Sequence, residues 1–508
     1  MATHVLEPST PEYAVAVSPG GHQPRLLTEE RSLRPTWVVY ACVVGGMLQA
    51  FHYGWSNAQV NYSGFNNTAQ CNVRPVQDGT CVMFPGHTKT TWTFLVNAWI
   101  VGGMLGSLMS GFLSNKLGRL QTLRWNTVLM VVGAVVQVVA PSSAWFIVGR
   151  FVAGAANGIA MAVVSVYFNE ISTPHNRHAL GINQQLAATT GILGVSTAFF
   201  YWGTSTGFRW IAAMPILMAA GCLLLAFTVM VESPVWLVTK GRDAEAEREL
   251  ARLYGEDNVA ALMSWIQANE RRSKLPSVAN GDVAETASDS VWIVLSSPKF
   301  RRQTLIAFGL TCVNQLVGVN AVFFYSSLIL ADAGISDSRV GLVIIAALVV
   351  VPVPIASIVS KQMAKRSMLL WGISVMIVCC VGITLTLVYK VGWLSIVLLS
   401  VFVMGYGMSI GPLLWPMIGE LFPDSARGNA VGLCVVLKWI CALIVGIGFP
   451  YLEAAISNYT FTPFLGTCVL SLVFIYFMVP ETSDLTIAEI QEGFHGQHSA
   501  EASGKSQH

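Results

Sequence analysis

The stretch NEISTPHNR (residues 169–177) decides the fold, because it returns in altered form as GELFPDSAR (residues 419–427). In each copy an acidic residue stands seven positions before an arginine, and a proline lies between the two. The acid and the arginine are both displaced by 250 residues between the copies. An internal repeat with so long a period predicts a chain that is built from two related halves.

Two further pairs of motifs flank this repeat and have nearly the same offset. MVESP (residues 230–234) returns as MVPET (residues 478–482). GFLSNKLGR (residues 111–119) returns in degenerate form as SIVSKQMAKR (residues 357–366). The repeat therefore extends along most of the chain.

The composition is that of a membrane protein, since 54% of the 508 residues are hydrophobic and only 11% are charged. A helix needs about 20 apolar residues to cross a membrane. Eleven stretches of sufficient length contain no Asp, Glu, Lys or Arg, and a twelfth, between Arg427 and Glu453, contains only Lys438. We therefore predict an all-α membrane protein with twelve transmembrane helices, six in each half.

Most of the 29 lysines and arginines fall in segments on one side of this topology. Because basic residues concentrate on the cytoplasmic side of membrane proteins, both termini are predicted to be cytoplasmic. Residues 1–35 are polar, so the first helix is expected to act as the insertion signal.

These features divide the chain into five segments. The charged stretch between the halves has helical periodicity, which predicts short amphipathic helices at the cytoplasmic face. The segments are a cytoplasmic N-terminal tail (1–35), an N-terminal six-helix half (36–231), a cytoplasmic linker (232–302), a C-terminal six-helix half (303–480) and a cytoplasmic C-terminal tail (481–508).

The loops predicted to lie outside contain three N-glycosylation motifs, at Asn61, Asn66 and Asn458. Each motif is weak evidence by itself, and all three agree with the topology. Cys71 and Cys81 are expected either to form a disulfide, which the oxidising exterior permits, or to remain free thiols. No His and Cys residues have the spacing of metal ligands, so no metal site is predicted.

Six charged residues are predicted at the cytoplasmic ends of helices. Transporters with two related halves bind substrate near the middle of the membrane and rock about it. Opposite charges at these ends are therefore predicted to form a cytoplasmic gate that holds the halves together; the alternative is that they only anchor helix ends among lipid headgroups. The six are Arg119, Glu170, Arg177, Glu232, Glu420 and Arg427.

At its motifs the chain resembles the sugar-porter branch of the major facilitator superfamily, and in particular the facilitative glucose transporters. The resemblance covers about residues 36–494 and includes GRFVAGAANG (149–158), NQLVGVNAVFFYSS (314–327) and GPLLWPMIGELFPDSARG (411–428). It implies the major facilitator superfamily fold, with two pseudo-symmetric halves, and a monosaccharide as the substrate.

The resemblance also implies a sugar site that amide and aromatic side chains form inside the spans. Polar amides within membrane helices are usually functional, and the alternative for any one of them is hydrogen bonding between helices. Phe324 and Tyr325 match an aromatic pair that closes over the sugar as an extracellular gate. The residues predicted to contact the sugar or to line its pocket are Gln185, Asn314, Gln315, Asn320, Trp415, Lys438 and Trp439.

Asn314 and Lys438 depart from the family pattern, which has a glutamine and an asparagine at these two positions. The tenth span is also unusual, because it is rich in helix-breaking residues and is therefore predicted to be broken. Those residues are Gly405, Gly407, Gly411, Pro412 and Pro416.

Lys438 lies near the middle of an apolar helix. A charge that faced lipid at this depth would cost about 2.5–3.5 kcal/mol on insertion scales, and the headgroups are too distant for easy contact. We therefore expect Lys438 to face the central cavity, where it donates to sugar hydroxyls or selects an anionic substrate. The alternative is that it binds carbonyl groups at a helix end.

Three functions compete: a hexose facilitator, a proton-coupled sugar symporter and a non-transporting sugar sensor. In the family that the chain resembles, symporters carry an aspartate in the first helix, where this chain has Ser56. Only 27 residues follow Glu481, which disfavours the long signalling tail of a sensor. The facilitator is therefore favoured, and a polyol or organic anion that binds Lys438 is the alternative substrate.

No arrangement of nucleophile, base or metal ligands points to an enzyme, and no cofactor or nucleic-acid partner is predicted. The expected partners are a small sugar and the lipid bilayer. The plasma membrane is expected by default, a vacuole or another organelle is left open, and the sequence predicts no oligomeric state.

Overall fold

The computed structural model is built from helices, with no strand in the residues that it describes. The described ranges are 34–62, 64–65, 82–173, 177–274, 300–332, 337–359, 362–422 and 424–483. The α-helices in chain order are α1 (Trp37–Ala58), α2 (Lys89–Leu117), α3 (Arg119–Val139), α4 (Ser143–Ile171), α5 (Arg177–Trp202), α6 (Gly207–Thr228), α7 (Pro234–Thr239), α8 (Asp243–Tyr254), α9 (Val259–Lys274), α10 (Arg301–Leu316), α11 (Val319–Asp332), α12 (Ser338–Val350), α13 (Pro352–Val359), α14 (Lys365–Tyr389), α15 (Gly392–Met408), α16 (Ile410–Leu421), α17 (Asp424–Ile456) and α18 (Thr462–Met478).

These helices occupy all twelve predicted spans. Among the described residues, nine helices or helix pairs are long and apolar enough to cross a membrane. Helices α1, α5 and α18 occupy the other three charge-poor stretches. The prediction of an all-α membrane fold with twelve spans is therefore confirmed, and three of the spans each consist of two consecutive helices.

The N-terminal half packs closely because its glycines let helix backbones approach one another. A β-carbon on Gly154 of α4 would lie 2.1 Å from the Trp99 carbonyl oxygen of α2, and one on Gly106 would lie 2.0 Å from the Ala155 oxygen. Small residues at such interfaces are typical of membrane bundles, in which helices associate through close packing. A larger side chain at either glycine would push α2 and α4 apart.

The two halves contact each other mainly along two pairs of helices, α2 with α17 and α5 with α12. On the first pair, the Trp439 ring lies against Gly103, and Gly446 lies against the Asn97 side chain. The space between the halves is therefore bounded by α2, α5, α12 and α17, together with the helices that pack beside them.

Besides the break at Val351 between α12 and α13, two spans of the C-terminal half are interrupted near their middle. The first break separates α10 from α11 at Gly318, whose φ is +101°. The second separates α15 from α16 at Ser409, whose φ is −126° and ψ is −102°. The glycines and prolines of the tenth span predicted the second break, whereas the first was not predicted.

Helices α7, α8 and α9 pack against the end of the N-terminal half that is predicted to be cytoplasmic. Helix α8 is amphipathic, with Leu250, Leu253 and Tyr254 buried on one side. The Tyr254 hydroxyl donates a hydrogen bond of 2.7 Å to the Ile171 carbonyl oxygen, which attaches α8 to the end of α4. Residues 275–299 of the linker lie outside the described residues.

Candidate substrate-binding site

Three of the predicted amides form one chain of hydrogen bonds. Nδ2 of Asn320 donates to Oε1 of Gln315 (2.6 Å), and Nε2 of Gln315 donates to Oδ1 of Asn314. Nδ2 of Asn314 then donates to the Tyr406 hydroxyl (3.0 Å) and to the Ile410 carbonyl oxygen (3.2 Å). The chain therefore links α10 and α11 to α15 and α16, which form two of the three interrupted spans.

In this closed structure the three amides form hydrogen bonds within and between helices. The sequence analysis left this role open as the alternative to sugar binding. Asn314, Gln315 and Asn320 are buried, and a buried amide without a partner costs about 1–3 kcal/mol. Because an amide both donates and accepts, the same groups can exchange these partners for sugar hydroxyls. Tyr406, which receives the Asn314 bond, was missed; its signal was a hydroxyl-bearing aromatic within the glycine-rich span.

Gln185 lies on the face of α5 that is directed toward the C-terminal half. Ile192 and Ser196 of α5 line a small cavity together with Val349 of α12. Gln185 precedes Ile192 by seven residues, which places both on one side of the helix. The Gln185 side chain is partly exposed, and its amide has no hydrogen-bond partner in the described part of the chain.

Trp439 on α17 reaches across to the N-terminal half. Its Nε1 donates to the Ser107 hydroxyl (2.9 Å). Its ring lies edge-on to the rings of Trp99 and Tyr53, with centroids 5.7 and 6.5 Å away. This predicted wall of the sugar pocket is therefore also a contact between the halves.

Lys438 faces the interior of the C-terminal half, where Trp415 also lies. Its Nζ is 5.6 Å from the centroid of the Trp415 ring, on the face of the indole. One turn further along α17, Sγ of Cys441 lies 3.9 Å from Sγ of Cys312 on α10. Ile440 is exposed on a different side of α17, so the lysine is directed away from lipid.

Phe324 and Tyr325, the predicted extracellular gate, fill the space between α11 and α17. The Tyr325 hydroxyl donates to the Gly446 carbonyl oxygen (2.9 Å), and its ring stacks on Phe449 with centroids 5.2 Å apart. Phe324 is perpendicular to Tyr325 at 6.3 Å. Both aromatic side chains are buried on the external side of the amide chain.

The halves meet in two contacts of charged residues at the side that is predicted to be external. Nζ of Lys89 on α2 lies 3.5 Å from Oε2 of Glu453 on α17. The Arg339 guanidinium at the start of α12 lies 5.2 Å from the centroid of the Phe200 ring near the end of α5. Each contact joins one half to the other, so the structure is closed at the side that is predicted to be external.

Asn61 lies between the halves, which contradicts its prediction as a surface glycosylation site. Its Nδ2 donates to the Phe323 carbonyl oxygen (3.0 Å) and the Ser326 hydroxyl (2.9 Å), and its Oδ1 accepts from the Ser327 N–H (3.2 Å). The side chain is only 4% exposed. A glycan on this nitrogen is incompatible with the arrangement, and the sequence motif cannot reveal burial that arises from the contact of two distant segments.

Asn458 remains partly exposed at the centre of a 3₁₀-helix (Ser457–Tyr459), so its glycosylation stays a prediction. Other predicted residues lie outside the described part of the chain. They are Asn66, Cys71 and Cys81, together with the side chains of Arg177 and Arg427.

Among the described residues, the charges of the predicted cytoplasmic gate form ion pairs within each half. Arg119 donates two hydrogen bonds of 2.7 Å to Glu170. Nζ of Lys365 lies 2.5 Å from Oε1 of Glu420. Since Arg119 begins α3 and Lys365 begins α14, the pairs occupy equivalent places in the repeat. The prediction was that these charges hold the halves together, whereas the described ion pairs stabilise each half separately.

Glu232 accepts hydrogen bonds from the backbone N–H groups that begin α3, at Arg119 (2.8 Å) and Leu120 (3.0 Å). Glu481 accepts in the same way from Arg366 N–H in α14 (3.2 Å). A carboxylate at a helix N-terminus is electrostatically favourable. Burial raises the pKa of the Glu232 carboxyl, and the backbone N–H donors oppose that rise. The repeated acids therefore fix equivalent helix ends.

Arg150 on α4 was missed by the sequence analysis and is 1% exposed. Its Nη1 donates to the Ser56 carbonyl oxygen (2.6 Å) and to Oε1 of Gln59 (3.3 Å), and its guanidinium lies 5.7 Å from the Trp99 ring centroid. No carboxylate binds Arg150 within the described residues. No group of His, Cys, Asp and Glu in the same residues has the geometry of a metal site.

Comparison with known protein families and sequences gives a consistent picture. The family model described as "Sugar (and other) transporter" matches residues 37–494. The chain is 30% identical to solute carrier family 2, facilitated glucose transporter member 5 of Equus caballus, over 92% of this chain and 94% of that one. It is also 30% identical to the glucose transporter GlcP of Staphylococcus epidermidis, over 79% of this chain and 88% of that one.

Solved structures with the same architecture come from the xylose transporter XylE of E. coli. Its partially occluded inward open conformation matches with a TM-score of 0.73 and 19% identity, and the match covers 89% of this chain and all of that one. Its inward open conformation matches with a TM-score of 0.71. At this level of identity the likeness concerns the fold alone.

Proposed function

The chain belongs to the sugar (and other) transporter family and is a multi-pass membrane protein, and from this premise we propose that it carries hexoses by facilitated diffusion. Two relatives at 30% identity are named as glucose transporters, so glucose is the first substrate to test. The amide chain and the aromatic side chains between the halves supply the groups that a sugar needs. Hydroxyls bind amides, and the apolar ring face packs on indole rings.

The surroundings of Arg150 are the observation that favours facilitated diffusion over proton-coupled symport. A proton-coupled carrier needs a group inside the membrane that binds and releases the proton, and acids serve this purpose. Arg150 binds the Ser56 carbonyl group and Gln59, and no carboxylate contacts it in the described residues. No aspartate or glutamate lies near the middle of a span in the sequence. Sugar would therefore move only down its own gradient.

Transport would proceed by alternating access, with the halves rocking about the amide chain. Asn61, Lys89 and Glu453 would separate when the site opens outward, and Phe324 and Tyr325 would act as the extracellular gate. The cytoplasmic charges would then approach one another. The pairs within each half keep the helix ends rigid, so that each half moves as a unit.

The remaining assignments follow from the same proposal. Residues 36–231 and 303–480 would be the two moving halves, with 232–302 as the cytoplasmic linker between them. The substrate would leave chemically unchanged, because the protein would act as a carrier and not as an enzyme. The plasma membrane is the proposed location. The proposed sugar-contacting or pocket-lining residues are Gln185, Asn314, Gln315, Asn320, Trp415, Lys438 and Trp439.

The test is uptake by proteoliposomes that contain the purified protein and no sugar. Glucose, fructose and galactose would be compared at two pH values, with and without a protonophore. We expect at least one hexose to enter until its inside and outside concentrations are equal, and we expect the protonophore to change nothing. Accumulation above the outside concentration that the protonophore abolishes would show symport instead.

A further inference from the structure

Lys438 is held deep in the membrane by a long helix. It lies 14 residues from the start of α17 at Asp424 and 18 residues from its end at Ile456. At 1.5 Å per residue these separations are roughly 21 and 27 Å, which puts both helix ends beyond the reach of the side chain. The ammonium group must therefore be stabilised inside the bundle.

The described residues supply only one stabilising contact to this ammonium group. The Trp415 ring lies beneath Nζ at 5.6 Å, and neither a hydrogen bond nor an ion pair of Lys438 occurs among the described residues. A cation over an aromatic ring gains about 0.5–2 kcal/mol. An ammonium group has three donors, so the contact with the ring leaves its hydrogen-bonding capacity unused.

Arg150 adds a second positive charge to the membrane interior. Its guanidinium contacts the Trp99 ring, and that ring contacts Trp439, the neighbour of Lys438. No carboxylate balances Arg150 in the described residues. Positive charges that no carboxylate balances, in surroundings of low dielectric constant, attract counter-ions. The interior of this protein thus favours a negatively charged ligand.

The position of Lys438 relative to the amides defines where the negative group would lie. Helices α10 and α17 run in the same direction, and the 3.9 Å contact between Cys312 and Cys441 sets their register. Lys438 is three residues before Cys441, and Gln315 is three residues after Cys312. At 1.5 Å per residue the two side chains begin roughly 9 Å apart along the helix axes, with Lys438 nearer the cytoplasm.

We propose that Lys438 and the face of Trp415 form a subsite for a carboxylate, so that the transporter takes sugar acids such as hexuronates. This inference rests on the proposed function, since the amides around Gln315 hold the ring hydroxyls. The carboxylate of a hexuronate projects from one end of the ring, so it would reach toward Lys438 while the opposite hydroxyls bind the amides. One ammonium group balances one carboxylate, whereas a sugar phosphate carries about two charges and would keep one uncompensated.

The test compares glucuronate and glucose as ligands of the purified full-length protein. Binding is measured as the ligand-dependent rise in apparent unfolding temperature, and transport is measured as uptake by proteoliposomes. The variants are Lys438→Asn and Lys438→Gln, each checked for a monodisperse elution profile. Lys390→Asn is the matched control, because Lys390 is an exposed lysine at the external end of α14.

We expect glucuronate to stabilise the wild type and the Lys390→Asn control at lower concentration than glucose does. In both Lys438 variants the affinity for glucuronate relative to glucose should fall roughly tenfold or more, because a charge-assisted hydrogen bond is lost. The inference is overturned if glucuronate fails to bind the wild type. It is also overturned if the ratio of glucuronate affinity to glucose affinity is the same in Lys438→Gln as in the wild type. It is also overturned if glucose 6-phosphate binds more tightly than glucuronate.

Failure of the proposed function has a different signature. A protein that binds glucuronate through Lys438, but moves neither glucuronate nor any hexose across the bilayer, would retain the subsite and lose the transport assignment. A protein that carries glucose and ignores glucuronate would retain the transport assignment and lose the subsite.

Discussion

Lys89 and Glu453 form an ion pair that joins the external ends of α2 and α17, with 3.5 Å between Nζ and Oε2. Their side chains are 41% and 30% exposed, so water and salt screen the pair. Ion pairs of this kind contribute about 0.2–1 kcal/mol. A weak contact suits a closure that must open in every transport cycle.

The first prediction concerns this pair. Lys89→Glu places two like charges at the closure, so it should favour the outward-open state and raise the apparent affinity for sugar presented outside by up to about fivefold. The measurement is KM for entry into whole cells. The double variant Lys89→Glu/Glu453→Lys restores opposite charges and should return KM to the wild-type value. A double variant that behaves like the single one would show that the pair does not control closure.

The second prediction concerns Asn61, whose side chain joins the end of α1 to Phe323, Ser326 and Ser327 of α11. Asn61→Ala removes these hydrogen bonds from a buried position. It should therefore shift the equilibrium toward the outward-open state by more than Lys89→Ala does. The expected change is about 1–3 kcal/mol, against at most about 1 kcal/mol for the exposed ion pair.

The same residue gives a chemical control for this prediction. Enzymatic removal of N-linked glycans should leave wild type and Asn61→Gln with the same change in apparent mass, because the structure leaves no room for a glycan there. A glycan found on Asn61 by mass spectrometry of the transport-competent protein would contradict the closed arrangement of α1 and α11.

The fold was predictable from the sequence because two of its signals are independent of tertiary contacts. Charge-free stretches of sufficient length mark the spans, and the repeat that contains Glu170 and Glu420 marks the two halves. The partners of these acids were not predicted, since both bind the basic residue that begins the equivalent helix in their own half rather than a residue of the other half. The spans and the two halves follow from chain length, charge and symmetry.

The site was only partly predictable, because its contacts depend on which segments meet in space. The amides at Asn314 and Gln315 stood out in the sequence, but their partner Tyr406 lies in a different span and has no distinctive spacing. Asn61 has the motif of a surface residue and is buried by a helix more than 260 residues away. Arg150 was overlooked, because it lies between two of the charge-free stretches that mark the spans.

The third prediction separates substrate contact from helix contact at two amides. Gln185 has no hydrogen-bond partner in the described residues, so Gln185→Ala should weaken sugar binding by about 5- to 150-fold without lowering the unfolding temperature. Gln315 bonds both Asn314 and Asn320. Gln315→Ala should therefore weaken binding and also destabilise the protein by about 1–3 kcal/mol.

Both quantities can be measured on the same purified samples, as equilibrium binding of the transported hexose and as apparent unfolding temperature without ligand. Equal loss of stability in the two variants would mean that Gln185 has a structural partner. Normal affinity in both variants would place the sugar elsewhere.

The last prediction tests the break between α10 and α11 at Gly318. Its φ of +101° disfavours any residue with a β-carbon by about 1–2 kcal/mol, and that β-carbon would lie 2.7 Å from Cγ of Phe464. Gly318→Ala should therefore lower the unfolding temperature and reduce uptake, because the break holds Gln315 and Asn320 together. Gly432→Ala is the matched control, since nothing lies within 4 Å of its β-carbon position and alanine is favoured in a helix by about 0.5–1 kcal/mol. Phe464→Leu combined with Gly318→Ala should recover only part of the loss, because it relieves the steric contact and leaves the backbone strain. If Gly318→Ala proves as stable and as active as Gly432→Ala, the break at Gly318 is not needed for the site.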